Sequence, residues 1–256
     1  MAVELFRSEL LDRAGFAHGF TKRTGGASQG PFASLNLAHD VGDDPENVRR
    51  NLESLRAALG IDLPLLRVNQ AHGNAAIDAA RLVELGLGDW LAAPAVEADA
   101  IVSAGVDAVL AVQTADCAAV LLADPETRAA AAVHVGWRGA ANGVLRNAAR
   151  ALRDHGAEPS RLLAAIGPCI GAECYEVQAD VARRFPESID VVDGRPDAFL
   201  LDLGNAIEVS LIGAGLSTRN IDRIKVCSRC AEDELFSHRG SGGTCGRGLG
   251  FIRSDG

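Results

Sequence analysis

Between residues 98 and 135 the chain carries four short apolar runs, at 98–103, 108–113, 118–123 and 129–135, separated by polar breaks. Each run is nearly continuous rather than alternating, which predicts strands buried on both faces. The last two runs join across Asp124, Pro125 and Glu126, residue types that favour a turn. A helical rhythm governs residues 45–59. There Val48, Leu52, Leu55 and Leu59 share one face, Asp43 or Asp44 is the cap, Pro45 sits in the first turn and Gly60 ends the helix. The same spacing predicts a helix over 139–155, carrying Val144, Leu145, Ala148 and Leu152 and terminated by Gly156. It predicts another over 178–185, stopped before Pro186, and a third capped by Asp202 and bearing Leu203, Ile207, Leu211 and Ala214. Residues 75–88 admit a short strand followed by a helix. Strand patterns at 17–21, 161–166, 223–227 and 249–253 complete the alternation, with no low-complexity linker and no internal repeat. The expectation is one mixed α/β domain spanning residues 1–256, with buried central sheets flanked by helices.

Composition narrows the partners. At 48% hydrophobic content, 256 residues can bury a large core. No run reaches the roughly 18 to 20 apolar residues that span a bilayer, and the first residues lack the basic-then-apolar pattern of a signal peptide. A cytoplasmic protein with no membrane partner is expected. The net charge of −9 is spread along the chain without a basic block, so no nucleic-acid footprint is present. Small molecules remain as partners, and the oligomeric state is not legible. Six cysteines without a secretory signal read as free thiols or ligands rather than a disulfide framework.

The chemistry gathers at strand ends. Cys117 enters the run at 118–123, His134 leaves the run at 129–135, and His72 follows the run at 63–68. One Cys and two His suit zinc, and three protein ligands leave a fourth position open. The plainer alternative is a buried core cysteine and two hydrogen-bonded histidines. Asp116, beside the thiol in an apolar context, is costly unless it serves a partner. Residues 136–143 link a strand to a helix, so their N–H groups and Arg138 can hold an anion; a Gly-rich turn with a solvated Arg fits as well. Arg239 and Arg247 flank a second glycine-rich stretch. Its Gly246, Gly248 and Gly250 do not open a helix and make no dinucleotide fingerprint. Cys227 and Cys230 form a lone C-x-x-C, open to metal, redox or neither.

Taken together, several motifs carry a resemblance. They are Asn69-Gln70 with His72-Gly73, Thr114 to Cys117, His134 with Gly136 to Gly139, Ile166 to Pro168, Tyr175 to Val177, and Phe236-Ser237 with Arg239, Gly246 and Arg247. This set, which covers nearly the whole chain, resembles the YfiH-type family, first called multicopper polyphenol oxidases or laccase-domain proteins and later purine nucleoside phosphorylases with adenosine deaminase activity. The resemblance implies a single α/β domain, similar in fold to certain cysteine-dependent toxin deamidases. It also implies zinc held by His72, Cys117 and His134, with a purine nucleoside beside it. The implied reactions are phosphorolysis of adenosine, inosine, guanosine or methylthioadenosine to base and pentose 1-phosphate, and hydrolytic deamination of adenosine. Arg239 or Arg247 would hold phosphate, Arg138 and Gln70 are further substrate-binding candidates, and Gln70 and Asp116 would orient ligands or take a proton. His238 departs from the aromatic residue common at its position.

Other readings share these residues. A multicopper centre needs many imidazoles, whereas this chain has six histidines, none in a His-x-His pair, and one methionine, Met1. A four-copper oxidase is therefore disfavoured, although copper can compete with zinc in vitro. A cysteine hydrolase would use Cys117 as nucleophile and His134 as base. A zinc-stabilised interaction module would require a closed, four-ligand site.

Overall fold

The computed structural model describes residues 2–192 and 195–254. Its centre is two sheets packed face to face. The six-stranded sheet runs in the order Ile221–Arg223, Leu163–Ile166, Ala118–Ala123, Ala130–Val135, Ala100–Ser103 and Ala76–Asp78. The two end strands pair in parallel and the inner ones antiparallel. The five-stranded sheet runs Leu5–Phe6, His18–Thr21, Gly248–Ser254, Ala108–Thr114 and Leu65–Leu66.

Alternation along the buried strands assigns each residue to one of two cores. In Ala118–Ala123, Ala118, Val120 and Leu122 face the helices, while Ala119, Leu121 and Ala123 face the other sheet. In Ala108–Thr114, Leu110 and Val112 point into the inter-sheet core, and Val109 and Ala111 point to the opposite side. Both faces of both strands are therefore buried, which is why their sequences are continuous apolar runs. Small residues let the sheets approach closely. A Cβ added at Gly250 would lie 2.2 Å from the Cβ of Ala119.

Helices close both outer faces. The helix Pro45–Leu59 is capped by Asp44, whose carboxylate accepts the Glu46 N–H, and it ends at Gly60 in a left-handed conformation with φ of 62°. Its Val48, Leu52 and Leu55 pack on Leu249 and Phe251 of the five-stranded sheet. On the other side, Val144–Asp154 and Leu203–Gly213 cover the six-stranded sheet with Leu145, Leu152, Ile207 and Leu211. Among the described residues, no helix is long and apolar enough to cross a membrane.

The structure differs locally from the pattern-based expectation. The helix expected over 139–155 is two helices, Trp137–Asn142 and Val144–Asp154, because Gly143 takes a left-handed φ of 80° between them. The strand expected over 223–227 stops at Arg223, where a tight turn from Ile224 to Val226 leaves the sheet edge. The helix over 178–185 keeps only Ala179–Ala182; the N–H groups of Arg184 and Phe185 bond three residues back. A small sheet of Glu176–Val177, Arg195–Leu201 and Ile189–Val192 was not indicated by any apolar alternation.

Candidate metal centre and active site

Strand register builds the site. Ala118–Ala123 and Ala130–Val135 pair with Ala118 opposite Val135 and Ala119 opposite His134. Cys117, one residue before the first strand, therefore arrives beside His134 near the end of the second. His72 comes from the loop after Leu65–Leu66 in the other sheet. The Sγ of Cys117 lies 3.9 Å from Nε2 of His72, and the rings of His72 and His134 meet edge to face with centroids 4.8 Å apart. The three donor atoms all lie within 4.8 Å of one another. His134 is buried, Cys117 half-buried and His72 exposed, so the cluster opens in one direction.

The backbone is bent to make this possible. His72 and Asp116 have φ of 59° and 88°, a region that side-chain-bearing residues seldom occupy. Gly136 leaves the space the cluster needs. A Cβ there would stand 2.8 Å from the Cys117 sulfur and 3.2 Å from Cδ2 of His72.

Asp99 organises the ligands from behind and is absent from the sequence-based set. Nδ1 of His134 lies 2.8 Å from its Oδ1. The backbone N–H groups of His72 and Gly73 donate to the same carboxylate at 3.0 and 2.6 Å. With Nδ1 paired to Asp99, Nε2 of His134 is the nitrogen left for the cluster, where a metal would displace its proton, the arrangement found behind metal-bound imidazoles. An available signal was an acid within the apolar run at 98–103, since a buried carboxylate needs partners.

Electrostatics favour a thiolate. Burial pushes the Cys117 thiol up, but its hydrogen bonds and charge interactions with His134 and His72 prevail and bring it down to about 6. Burial likewise opposes the charged form of His134, and the Asp99 and Cys117 hydrogen bonds outweigh it and raise it to about 9. A thiolate and two imidazoles within one coordination radius suit a borderline-soft divalent ion, so the donor set fits zinc.

The other residues singled out from sequence meet here too. Gln70, His72, Asp116, Cys117, His134, Arg138, Arg239 and Arg247 all line one cavity of about 500 Å³. Their bonding refines several roles. The side chain of Gln70 donates to the Gln113 carbonyl at 3.0 Å and accepts its N–H at 2.6 Å, clipping the His72 loop to the neighbouring strand. Asp116 accepts from Ser228 Oγ at 2.6 Å, Ser237 Oγ at 2.7 Å and the Arg239 N–H at 2.6 Å, so it ties down the C-terminal loop rather than a ligand imidazole. Arg138 stacks over Trp137, and Arg239 lies over the Tyr175 ring while donating to the Glu176 carbonyl. Arg247 donates to the carbonyls of Cys245 and Gly246, each at 3.1 Å. Trp137 and Tyr175, which the sequence motifs included without assigning a role, add aromatic surface to the cavity. A wider cavity of about 880 Å³ shares Arg239 but contains none of the three donors.

Comparison with known proteins decides the family. The model of the multi-copper polyphenol oxidoreductase laccase family matches residues 17–255. The chain belongs to that family. Within it, a purine nucleoside phosphorylase of Deinococcus radiodurans is 38% identical over 237 residues, covering 90% of this chain and 86% of that protein. The crystal structure of YlmD from Geobacillus stearothermophilus matches with a TM-score of 0.89 at 30% identity, over 100% of this chain and 97% of that one. The hypothetical protein YfiH of Bacillus licheniformis matches with a TM-score of 0.89 at 26% identity, over 99% and 97% of the two chains. The mixed α/β architecture is thus shared with YlmD and YfiH.

Proposed function

We propose that this laccase-like family member is a zinc-dependent purine nucleoside phosphorylase that also deaminates adenosine. The observation that carries the reading is an open three-donor cluster, His72, Cys117 and His134, in a cavity that also presents Arg138, Arg239 and Arg247. The name of the Deinococcus relative supports it. The family's copper-related description finds less support in the donors. Among the described residues, His72 and His134 converge with Cys117, and His238 lines the same cavity outside that cluster; His18 is bonded to Phe16 and Ser8, and His155 to Asp78.

Zinc in that position supplies Lewis acidity, which polarises a bound group and acidifies water. The chain's own residues do the rest. The rings of Trp137 and Tyr175 offer faces to a flat base. The guanidinium groups of Arg239 and Arg247 bind phosphate by charge-assisted hydrogen bonds. In phosphorolysis an oxygen of hydrogen phosphate forms a bond to the ribosyl C1′ while the bond to the purine nitrogen breaks, and the departing base takes the proton that the phosphate gives up. In deamination water adds at C6 and ammonia leaves, so phosphate is not consumed. Adenosine, inosine, guanosine and methylthioadenosine are the proposed nucleosides.

A product assay tests this directly. Incubation with adenosine and inorganic phosphate is expected to yield adenine and ribose 1-phosphate, together with inosine or hypoxanthine. Release of base that does not depend on phosphate, or no release at all, would defeat the phosphorylase assignment.

One observation favours a second reading. Cys117, His134 and Asp99 also have the nucleophile, base and orienting acid of a cysteine hydrolase, with the thiol held low. The two readings part on metal, because coordinated sulfur is a poor nucleophile.

A further inference from the structure

The fold brings a second set of soft donors together outside the cavity just described. The lone C-x-x-C of Cys227 and Cys230 meets the short 3-10 helix Ala172–Cys174, far away in sequence. The Sγ atoms of Cys174 and Cys230 lie 3.4 Å apart, and Cys230 Sγ lies 3.9 Å from Oε1 of Glu173. Donor atoms of Glu173, Cys174, Cys227 and Cys230 all lie within 4.8 Å of one another. We propose that these four residues form a second metal site, a closed structural zinc centre that fastens residues 171–177 to residues 227–230.

Geometry and donor chemistry agree on this. Tetrahedral zinc with Zn–S distances of about 2.3 Å spaces its ligands roughly 3.8 Å apart, inside the range observed for this cluster. Three thiolates select a soft or borderline ion over calcium or magnesium. Four protein donors leave no open position, in contrast to the three-donor cluster in the cavity. The backbone is shaped around the sulfurs. The Gly171 N–H donates to Cys227 Sγ at 3.1 Å, and Cys169 and Cys227 form an isolated parallel bridge. A Cβ at Gly171 would come within 2.9 Å of the Glu173 carboxylate and 3.1 Å of Cys227 Cβ, so a larger residue there would crowd the donors. A disulfide accounts for less. The 3.4 Å separation is well beyond the roughly 2.05 Å of an S–S bond, and pairing any two thiols strands the third beside a carboxylate.

The position gives the site a purpose. Tyr175 follows Cys174 directly and lines the cavity, and Ser228, within the C-x-x-C, donates to Asp116 next to Cys117. A metal here would hold the cavity wall that carries Tyr175 and, through it, Arg239. This inference is independent of the proposed reaction and stands or falls separately from it.

Zinc content and thiol reactivity test it on the full-length protein. Protein purified without added metal is expected to carry one zinc at this site, making two per chain when the cavity site is also filled, and His72→Ala separates the two contributions. His72→Ala should keep the zinc of this site, while Cys230→Ser and, separately, Cys174→Ser should each lose it, with the far-ultraviolet circular dichroism unchanged. In wild-type protein, which avoids any folding defect of a variant, removing zinc with a chelator should speed iodoacetamide labelling of the exposed Cys230 at least tenfold. Added zinc should restore the protection. The proposal is overturned by Cys230→Ser protein that keeps the same zinc content as wild type, by Cys230 labelling that chelation does not change, or by a Cys174–Cys230 or Cys227–Cys230 disulfide in unreduced peptides.

Discussion

Nδ1 of His134 and Oδ1 of Asp99 lie 2.8 Å apart with both side chains almost wholly buried, 3% and 1% exposed. The same carboxylate receives the backbone N–H groups of His72 and Gly73, so one acid orients two of the three donors. Asp99→Asn keeps the size but loses the charge and one acceptor. It is expected to weaken metal binding about 10- to 100-fold while the fold persists. Competition with a chromophoric chelator measures this, and unchanged affinity would reduce Asp99 to a packing role.

Cys117 separates the two catalytic readings. Held as a thiolate by His134 and His72, it would react quickly when free and slowly when committed to zinc. Holo-protein is expected to label slowly at Cys117, chelation to speed labelling and abolish activity, and zinc added before the alkylating agent to restore activity. The large core should keep the metal-free site folded, unlike a zinc finger. Full activity without metal, lost on alkylation of Cys117 alone, would install the cysteine hydrolase instead. His72→Ala, Cys117→Ala and His134→Ala are each expected to lose the metal from this site.

The arginines differ in how freely they can meet an anion. Arg239→Ala is expected to raise the KM for phosphate about tenfold or more, the worth of a charge-assisted bond, with a smaller change for nucleoside. Deamination, which consumes no phosphate, should be spared. Arg247 also braces its own loop through the carbonyls of Cys245 and Gly246, so Arg247→Ala should carry an added loss in both reactions. Equal losses in both reactions for Arg239→Ala would argue against phosphate binding.

Asp124 provides a pH test of the scaffold. It sits at the turn joining the two strands that deliver Cys117 and His134, fully buried, accepting from Glu126 N, Glu158 N and Arg161. Burial would raise its carboxyl, but these donors prevail and hold it below the usual range. A depressed carboxyl contributes stability that is complete above the unfolded value of about 4 and is lost as pH falls through the lower folded value. Asp124→Asn should therefore cost about 2 kcal/mol at pH 7. In urea titrations the gap to wild type should begin to narrow below about pH 4 and go on narrowing as the pH falls through the lower folded value; a gap that does not change with pH would assign the loss to packing.

The sequence by itself determined the strands that hold the site. Runs buried on both faces cannot avoid being apolar throughout, so the strands that deliver Cys117 and His134, and the turn between them, were legible from residue order. The helix Pro45–Leu59 was equally plain, because its cap, its apolar face and its terminating glycine act within a few residues of each other. The motifs likewise named all eight residues that line the cavity from the sequence-based set.

Tertiary structure decided what depends on distant partners. Asp99 looks like an anomaly in an apolar run until register places it against His134, 35 residues away. Asp116 bonds to residues more than 100 positions later, and only that contact shows that it anchors a loop. The small sheet of Ile189–Val192 and Arg195–Leu201 is half-exposed and escapes a rule built on buried faces. The C-x-x-C gained its third thiol from a residue 53 positions upstream of Cys227, because convergence of donors is a property of folded space and leaves no periodic trace along the chain.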